Sequence, residues 1–408
     1  MTRACDLLVV GGGPAGAAAA IAARRAAPEL STVVLDRQKF PRDKACGDGL
    51  GPGVVARLAD LDATGIVRGR RPVERLKIVA PSGAEVVGDL PAIGRSARGY
   101  VVPRSEFDRD LLAHARDAGA EVLTESRLEG LASPEDGPVR VTSSGSNGSE
   151  SIEARAVIAA DGARSDVRRL LGVAYNDPAH TGVAIRAYVE RPGGFEHMAF
   201  YFKRELLPAY GWIFPIDEQG ANVGVMIDAA RFQRQERSLP ELLRGFLQSS
   251  GHADLEPKRS RAYMLPFASE IPPLAHGRVA LAGDAGSMIN PFSGEGIAYG
   301  MAAGMEAATR AARALRSGTG KQPFQGYDAW FRQRFGEHFR ASARAKRLAQ
   351  QAWIADFGVR AARRRPEFVR EGIELLVGEG TVLSWRSLAR LLVHGRTQGI
   401  PRGPRIAA

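Results

Sequence analysis

Asp6-Leu7-Leu8-Val9-Val10-Gly11-Gly12-Gly13-Pro14-Ala15-Gly16 reads as a buried strand that breaks on a glycine turn and opens a helix. The apolar run lacks alternation, as in a parallel strand covered on both faces, and the alanine-rich stretch to Ala27 continues as helix. Glycines at 11, 13 and 16 suit a tight turn, close approach of the backbone to a pyrophosphate, and packing of helix on strand. Pro14 and Ala15 lie in the same turn, where a helix N-terminus offers unpaired N–H groups to phosphates. A second buried strand, Thr32-Val33-Val34-Leu35, ends in Asp36, with Arg37 beside it. An acid there would accept from ribose hydroxyls and favours a free 2′-hydroxyl, hence FAD or NAD and not NADP.

Two later segments select FAD. Asp161-Gly162 closes a strand pattern at Ala156–Ala160, and Gly283-Asp284 closes another at Val279–Ala282. A strand ending on such a pair aims its carboxylate at the carboxyl edge of the sheet, where ligands of open α/β folds bind, so Asp284 would hold a ribityl hydroxyl. Pro291, Gly294, Gly296 and Ile297 then lead into a long small-residue helix over 294–316, bringing backbone amides to the pyrimidine edge of a flavin. Between 182 and 265 the pattern changes to successive strand-like runs at Val183–Val189, Ala199–Phe202, Gly211–Ile216 and Ala221–Ile227, which predict a mostly antiparallel sheet. The fold expected is α/β (α+β). Residues 1–75, 100–180 and 276–320 would make a discontinuous Rossmann-type FAD-binding domain, and 76–99 with 181–275 an inserted β-sheet substrate domain. A basic helical segment over 321–408 would complete the chain. Gly145–Glu150 reads as a polar hairpin tip.

With 408 residues, 44% apolar and 25% charged, the composition excludes a disordered or collagen-like chain, and no apolar run is long enough to span a bilayer. Two cysteines and no secretory leader pattern point to a reducing cytoplasm. The net charge of +11 is confined: after residue 320 there are 17 Lys and Arg against 7 Asp and Glu, so the first 320 residues carry only +1.

The ordered set Gly11–Gly16, Arg104, Asp161–Arg168 and Gly283–Gly296 resembles flavoproteins of the p-hydroxybenzoate hydroxylase fold. Lys44-Ala45-Cys46-Gly47-Asp48-Gly49 and Pro208-Ala209-Tyr210-Gly211-Trp212-Ile213-Phe214-Pro215 are similar to signatures of the geranylgeranyl reductase family, which includes menaquinone-chain reductases. That resemblance implies reduction of isoprenoid C=C bonds by bound FAD, with Lys44, Cys46 and Gly47 near the flavin. The hydroxylases' histidine after Gly-Asp is replaced here by Gly286-Ser287, and the halogenases' Trp-x-Trp motif by Tyr210-x-Trp212. A monooxygenase or dehydrogenase tailoring a secondary metabolite on the same fold stays as the alternative, and a non-catalytic flavin-bearing scaffold as a third. No second glycine fingerprint exists, so NADPH, NADH or an electron-carrier protein would reduce the flavin from outside.

Cys46 is the candidate proton donor, with Lys44 tuning it, and packing at a tight turn is its other reading. Tyr210, Trp212 and Phe214 share one face of a strand, so Tyr210 and Trp212 would stabilise cationic character and all three would wall an apolar substrate tunnel. Tyr188 and Tyr201 would extend that wall. Arg104 would reach the flavin phosphates or the adenine side. Cys5 reads as an inert core thiol, and neither metal-ligand spacing nor a covalent nucleophile is present. In the basic tail, Arg363-Arg364-Arg365 lies among Trp353, Ile354, Phe357, Phe368, Ile373, Leu375, Leu376, Trp385, Leu388, Leu391 and Leu392. Such amphipathic helices suit an anionic membrane surface, with peripheral attachment at the inner face; packing against the substrate sheet is the competing account. Without a recognition module, nucleic acid is not an expected partner.

Overall fold

The computed structural model describes residues 2–145, 148–318 and 322–380. The chain begins with β1 (Thr2–Val10), α1 (Pro14–Ala26), β2 (Thr32–Leu35), β3 (Gly49–Leu50), α2 (Pro52–Asp60), β4 (Arg75–Val79) and β5 (Glu85–Asp89). It continues through β6 (Tyr100–Val101), α3 (Arg104–Asp117), β7 (Glu121–Leu123), β8 (Ser126–Ala132), β9 (Val139–Gly145), β10 (Gly148–Ala159) and α4 (Asp166–Leu170). Next come β11 (Thr181–Glu190), β12 (Met198–Tyr201), β13 (Gly211–Pro215), β14 (Gly220–Asp228), α5 (Ala229–Phe232), α6 (Leu239–Ser249) and β15 (Lys258–Pro266). The described chain closes with β16 (Ala275–His276), β17 (Val279–Leu281), α7 (Ile297–Arg316), α8 (Tyr327–Ala349), α9 (Ala352–Arg364) and α10 (Pro366–Val377).

A first sheet runs β16-β17-β10-β1-β2-β7, in which the five strands from β17 to β7 are parallel, with β9 paired antiparallel to β10 and β8 to β9. Val10 stands in register with Leu35 on one side and Ala159 on the other, and Ala159 with Leu281. Gly11, Asp36, Ala160 and Ala282 therefore follow side by side at one carboxyl edge. α1 and α7 pack on each other through small residues, among them Ala15, Ala19, Gly300 and Gly304. At Gly11 the backbone takes φ +107, and a Cβ there would stand 2.3 Å from the Ala160 carbonyl oxygen; at Gly16 it would stand 1.8 Å from the Gly11 oxygen. Only glycine permits both approaches.

The second sheet runs β15-β11-β14-β13-β12-β4-β5 and is antiparallel except where β12 meets β4. One face, with Ile213, Val223 and Val225, is covered by Leu242, Leu243 and Phe246 of α6. The opposite face, with Phe200, Tyr210, Trp212, Phe214 and Met226, meets Val359, Ala362, Val369, Ile373 and Leu376 of α9 and α10. Each Val, Leu or Ile side chain buried there contributes about 1.5–3 kcal/mol.

Three departures from the sequence expectations have local causes. The small-residue helix starts at Ile297, because Asn290 ties Phe292 N and Ser293 N to its Oδ1 and holds 290–296 as a loop. β15 and β8 were not anticipated: Lys258-Arg259-Ser260-Arg261 is exposed and charged, as suits a sheet edge, and has no apolar alternation to mark it. In the tail, Ile373, Leu375 and Leu376 are buried and Ile354, Phe357 and Phe368 partly so, while Arg363, Arg364 and Arg365 face solvent. Among the described residues of the tail, helix packing thus uses most of the apolar face, and Trp353, 62% exposed, and Leu348 are the large apolar side chains left exposed. Trp385, Leu388, Leu391 and Leu392 lie outside the described residues, as do residues 146–147 at the polar hairpin tip.

Candidate active site

A cavity of about 710 Å³ runs from the glycine turn to the aromatic face of the second sheet. That volume is within the range of cofactor and ligand pockets. Gly11, Gly13, Pro14, Ala15, Asp36 and Arg37 line one end; Asp161, Gly162, Gly283, Asp284, Gly294, Gly296, Ile297 and Gly300 line the middle. Lys44, Cys46, Gly47, Arg104, Tyr210, Trp212, Phe214, Leu376 and Val377 line the other end. Gly16 sits beneath the turn and Pro291 lies in the 290–296 loop; neither is in the wall.

The residues present fit FAD. α1 has Pro14 at its start, with no side-chain cap on its first amides and no acid in its first turn, so the N–H groups face the cavity for phosphate oxygens. Asp36 is buried, and its carboxylate accepts from Gly12 N at 2.7 Å and from Gln38 N at 2.8 Å, which fixes it at the rim with lone pairs to spare for ribose hydroxyls. Asp161 is turned inward: Ser165 Oγ donates to it at 2.6 Å and Val167 N at 3.1 Å, so it shapes the turn into α4. Burial raises its carboxyl against those bonds.

The loop from Arg42 to Gly49 places the chemical groups. Lys44 Nζ pairs with Asp284 Oδ2 at 2.9 Å and lies over the Tyr263 ring at 4.7 Å. Burial opposes its charge, but Asp284 outweighs this and holds the ammonium above its usual range. Arg104, 3% exposed, forks onto Asp108 with Nε–Oδ1 2.6 Å and Nη2–Oδ2 2.8 Å, and its guanidinium neighbours Cys46. It lines the cavity beside Cys46. Burial pushes the Cys46 thiol up, while Arg104 pulls it down more strongly than Lys44 does. Cys46 is thus a protonated thiol beside a fixed cation. Cys5 is buried in β1, its thiol pushed up to about 12 by burial.

Tyr210, Trp212 and Phe214 stand together on one face, with Phe200 edge-on to Tyr210 and Phe214 at centroid distances of 4.9 and 5.1 Å. Tyr210 Oη donates to the Ser293 carbonyl, fixing the ring to the 290–296 loop. Tyr201 does not extend this wall: it pairs with Gly211 in the ladder, so alternation puts it on the opposite face against Phe246. Tyr188 is not in the wall either, because its hydroxyl turns to Asp48 at 2.8 Å and its ring lies under Arg186.

Four functional-site residues were not singled out by sequence reasoning. Asp48, Asn222 and Arg186 are buried polar groups around the Cys46 loop, and Glu295 lines the cavity at the start of α7. Ala298 N donates to Glu295 Oε1 at 3.0 Å, yet burial pushes its carboxyl up to about 7. A lone Asn inside the apolar run Ala221–Ile227 was the available signal. Among the described residues no group of His, Cys, Asp and Glu is arranged to hold a metal ion.

The FAD binding domain family matches residues 4–337. A menaquinone reductase of Mycolicibacterium smegmatis is 32% identical over 323 residues, 76% of this chain and 76% of that protein. Digeranylgeranylglycerophospholipid reductase 1 of Methanococcoides burtonii is 30% identical over 336 residues, 81% of this chain and 80% of that one. Among solved structures, a geranylgeranyl bacteriochlorophyll reductase-like protein of Thermoplasma acidophilum superimposes with a TM-score of 0.80 at 25% identity, covering 96% of each chain.

Proposed function

The chain belongs to the FAD binding domain family of flavoenzymes, among the geranylgeranyl reductase-type members, and from that premise we propose that it saturates C=C bonds of an isoprenoid chain. An isolated alkene is a poor hydride acceptor, so a proton must reach one carbon as hydride reaches the other. Bound in its reduced form, FAD supplies the hydride. We assign its binding to the glycine turn with Asp36, Arg37, Asp161, Gly162, Gly283, Asp284 and the loop from Pro291 to Ile297. Cys46 Sγ holds the proton, and Arg104 steadies the thiolate left behind. Tyr210, Trp212 and Phe214 exclude water and turn π faces toward developing positive charge. The observation that carries this reading is the single cavity that has the phosphate-binding turn at one end and a buried thiol against an aromatic wall at the other.

The same reading divides the chain into an FAD-binding part around the first sheet and a substrate part around the second. An external donor, NADPH, NADH or an electron-carrier protein, restores the reduced state. Among the described residues no helix is long and apolar enough to cross a membrane. We place the enzyme in the cytoplasm, touching an anionic membrane's inner face through the exposed Leu348 at the end of α8 and Trp353 at the start of α9, with the exposed Arg344, Arg347 and Arg360 on the same two helices. Turnover of a prenylated quinone or lipid under labelled O2 tests the function: the product should be heavier by one H2 and carry no label. A labelled product would replace reduction with oxygenation.

A further inference from the structure

Behind the thiol end of the cavity lies a carboxylate that does not line it. Asp48 is fully buried and takes a left-handed backbone, φ 60, a conformation that costs a residue with a side chain. Its Oδ2 accepts from Tyr188 Oη at 2.8 Å and from Asn222 Nδ2 at 2.8 Å, and its Oδ1 from Arg104 N at 3.3 Å. The same Asn222 amide donates to the Cys46 carbonyl at 2.8 Å, and its Oδ1 accepts from Trp212 Nε1 at 2.9 Å. Cys46 and Trp212, on a loop and a strand far apart in sequence, are therefore tied to one amide whose orientation Asp48 sets.

Charged and titratable groups face Asp48 from each neighbouring element: Arg104 from α3, Arg186 and Tyr188 from β11, and Cys46 from its own loop. Both cations already have carboxylate partners, Arg104 with Asp108 and Arg186 with Asp43. We propose that Asp48 is the positioning residue for Cys46: through Asn222 it fixes the thiol against Trp212, and its negative charge opposes ionisation of the thiol. This deepens the reading of Cys46 as the proton holder and rests on it. Two acids sharing a buried site do not both ionise readily, so a charged Asp48 keeps the proton on sulfur until the alkene takes it. Burial pushes the Asp48 carboxyl up to about 6 against the bonds from Asn222 and Tyr188, so at neutral pH it is mostly charged.

The test is the pH dependence of iodoacetamide alkylation at Cys46 in the FAD-loaded protein, followed by peptide mass spectrometry. Asp48→Asn removes the opposing charge but keeps an acceptor for Tyr188, and should move the alkylation midpoint down by about one pH unit. An unshifted profile in a variant that still binds FAD overturns the proposal. Should that variant fail to fold, Tyr188→Phe decides: losing one donor raises the Asp48 titration, so alkylation between about pH 6 and 7 should quicken roughly twofold or more over the native protein. An unchanged rate there overturns it. A shifted profile in an enzyme that fails to reduce prenylated acceptors would leave the Asp48–Cys46 coupling standing and remove only the reductase reading.

Discussion

At Cys46 burial raises the thiol while the Arg104 guanidinium lowers it, and the balance leaves a proton held beside a cation. A group so placed can release its proton to a carbon that is gaining positive character and leave a steadied thiolate behind. Cys46→Ala should slow reduction of the prenyl chain by about 10²–10⁴-fold, the range for one acid–base group, while photoreduction of bound FAD proceeds as before. Single-turnover kinetics check this, and an unaltered rate would return Cys46 to a packing role. The candidate residues were legible because Cys46 and Trp212 sit in recognisable segments. Their linkage was not, since Asp48 and Asn222 are 174 positions apart and meet only when the loop lies on β14. Arg104 was visible, but its partner Asp108, one helical turn on, which orients the guanidinium, was not.

Among elements, the βαβ start was readable because buried parallel strands and glycine turns leave unambiguous patterns, whereas β8 and β15 are polar edges whose pairing is decided by neighbours. The end of the described chain shows a similar dependence. After α10, Glu379 receives Arg57 Nη2 at 2.8 Å on both oxygens and Arg334 Nη2 at 2.7 Å; Tyr299 Oη donates to Gly378 O at 2.7 Å, and His338 Nδ1 meets Gly380 O at 2.8 Å. Leu376 and Val377, just before this latch, line the cavity, so the latch positions part of the substrate wall. Glu379→Gln leaves the partly buried Arg57 and the exposed Arg334 without their shared charge, a loss of about 1–2 kcal/mol once solvent screening of the exposed partner is counted. We expect a Tm lower by about one to three degrees and faster hydrogen exchange over residues 366–380 than over β1 and α1. Unchanged exchange there would make the latch incidental.

For the molecule as a whole, the net charge of +11 belongs almost entirely to the segment after residue 320, away from the glycine turn. Its helices have a structural task, since α9 and α10 pack in one cluster with the aromatic face of the second sheet; among the described residues after 320, Leu348 and Trp353 are the large apolar side chains that stay exposed, near exposed arginines. Substituting Trp353 and Leu348 with serine should lower sedimentation with anionic vesicles several-fold while leaving reduction of a soluble short-chain acceptor intact. Equal sedimentation would assign the charge to solubility alone. The central claim, that electrons pass from bound FAD to an isoprenoid double bond, is tested most directly without oxygen. Holoenzyme photoreduced under argon and then mixed with a prenylated quinone or lipid should regain the absorbance of oxidised flavin as the saturated chain accumulates in equal amount. Flavin that stays reduced until air is admitted would contradict it.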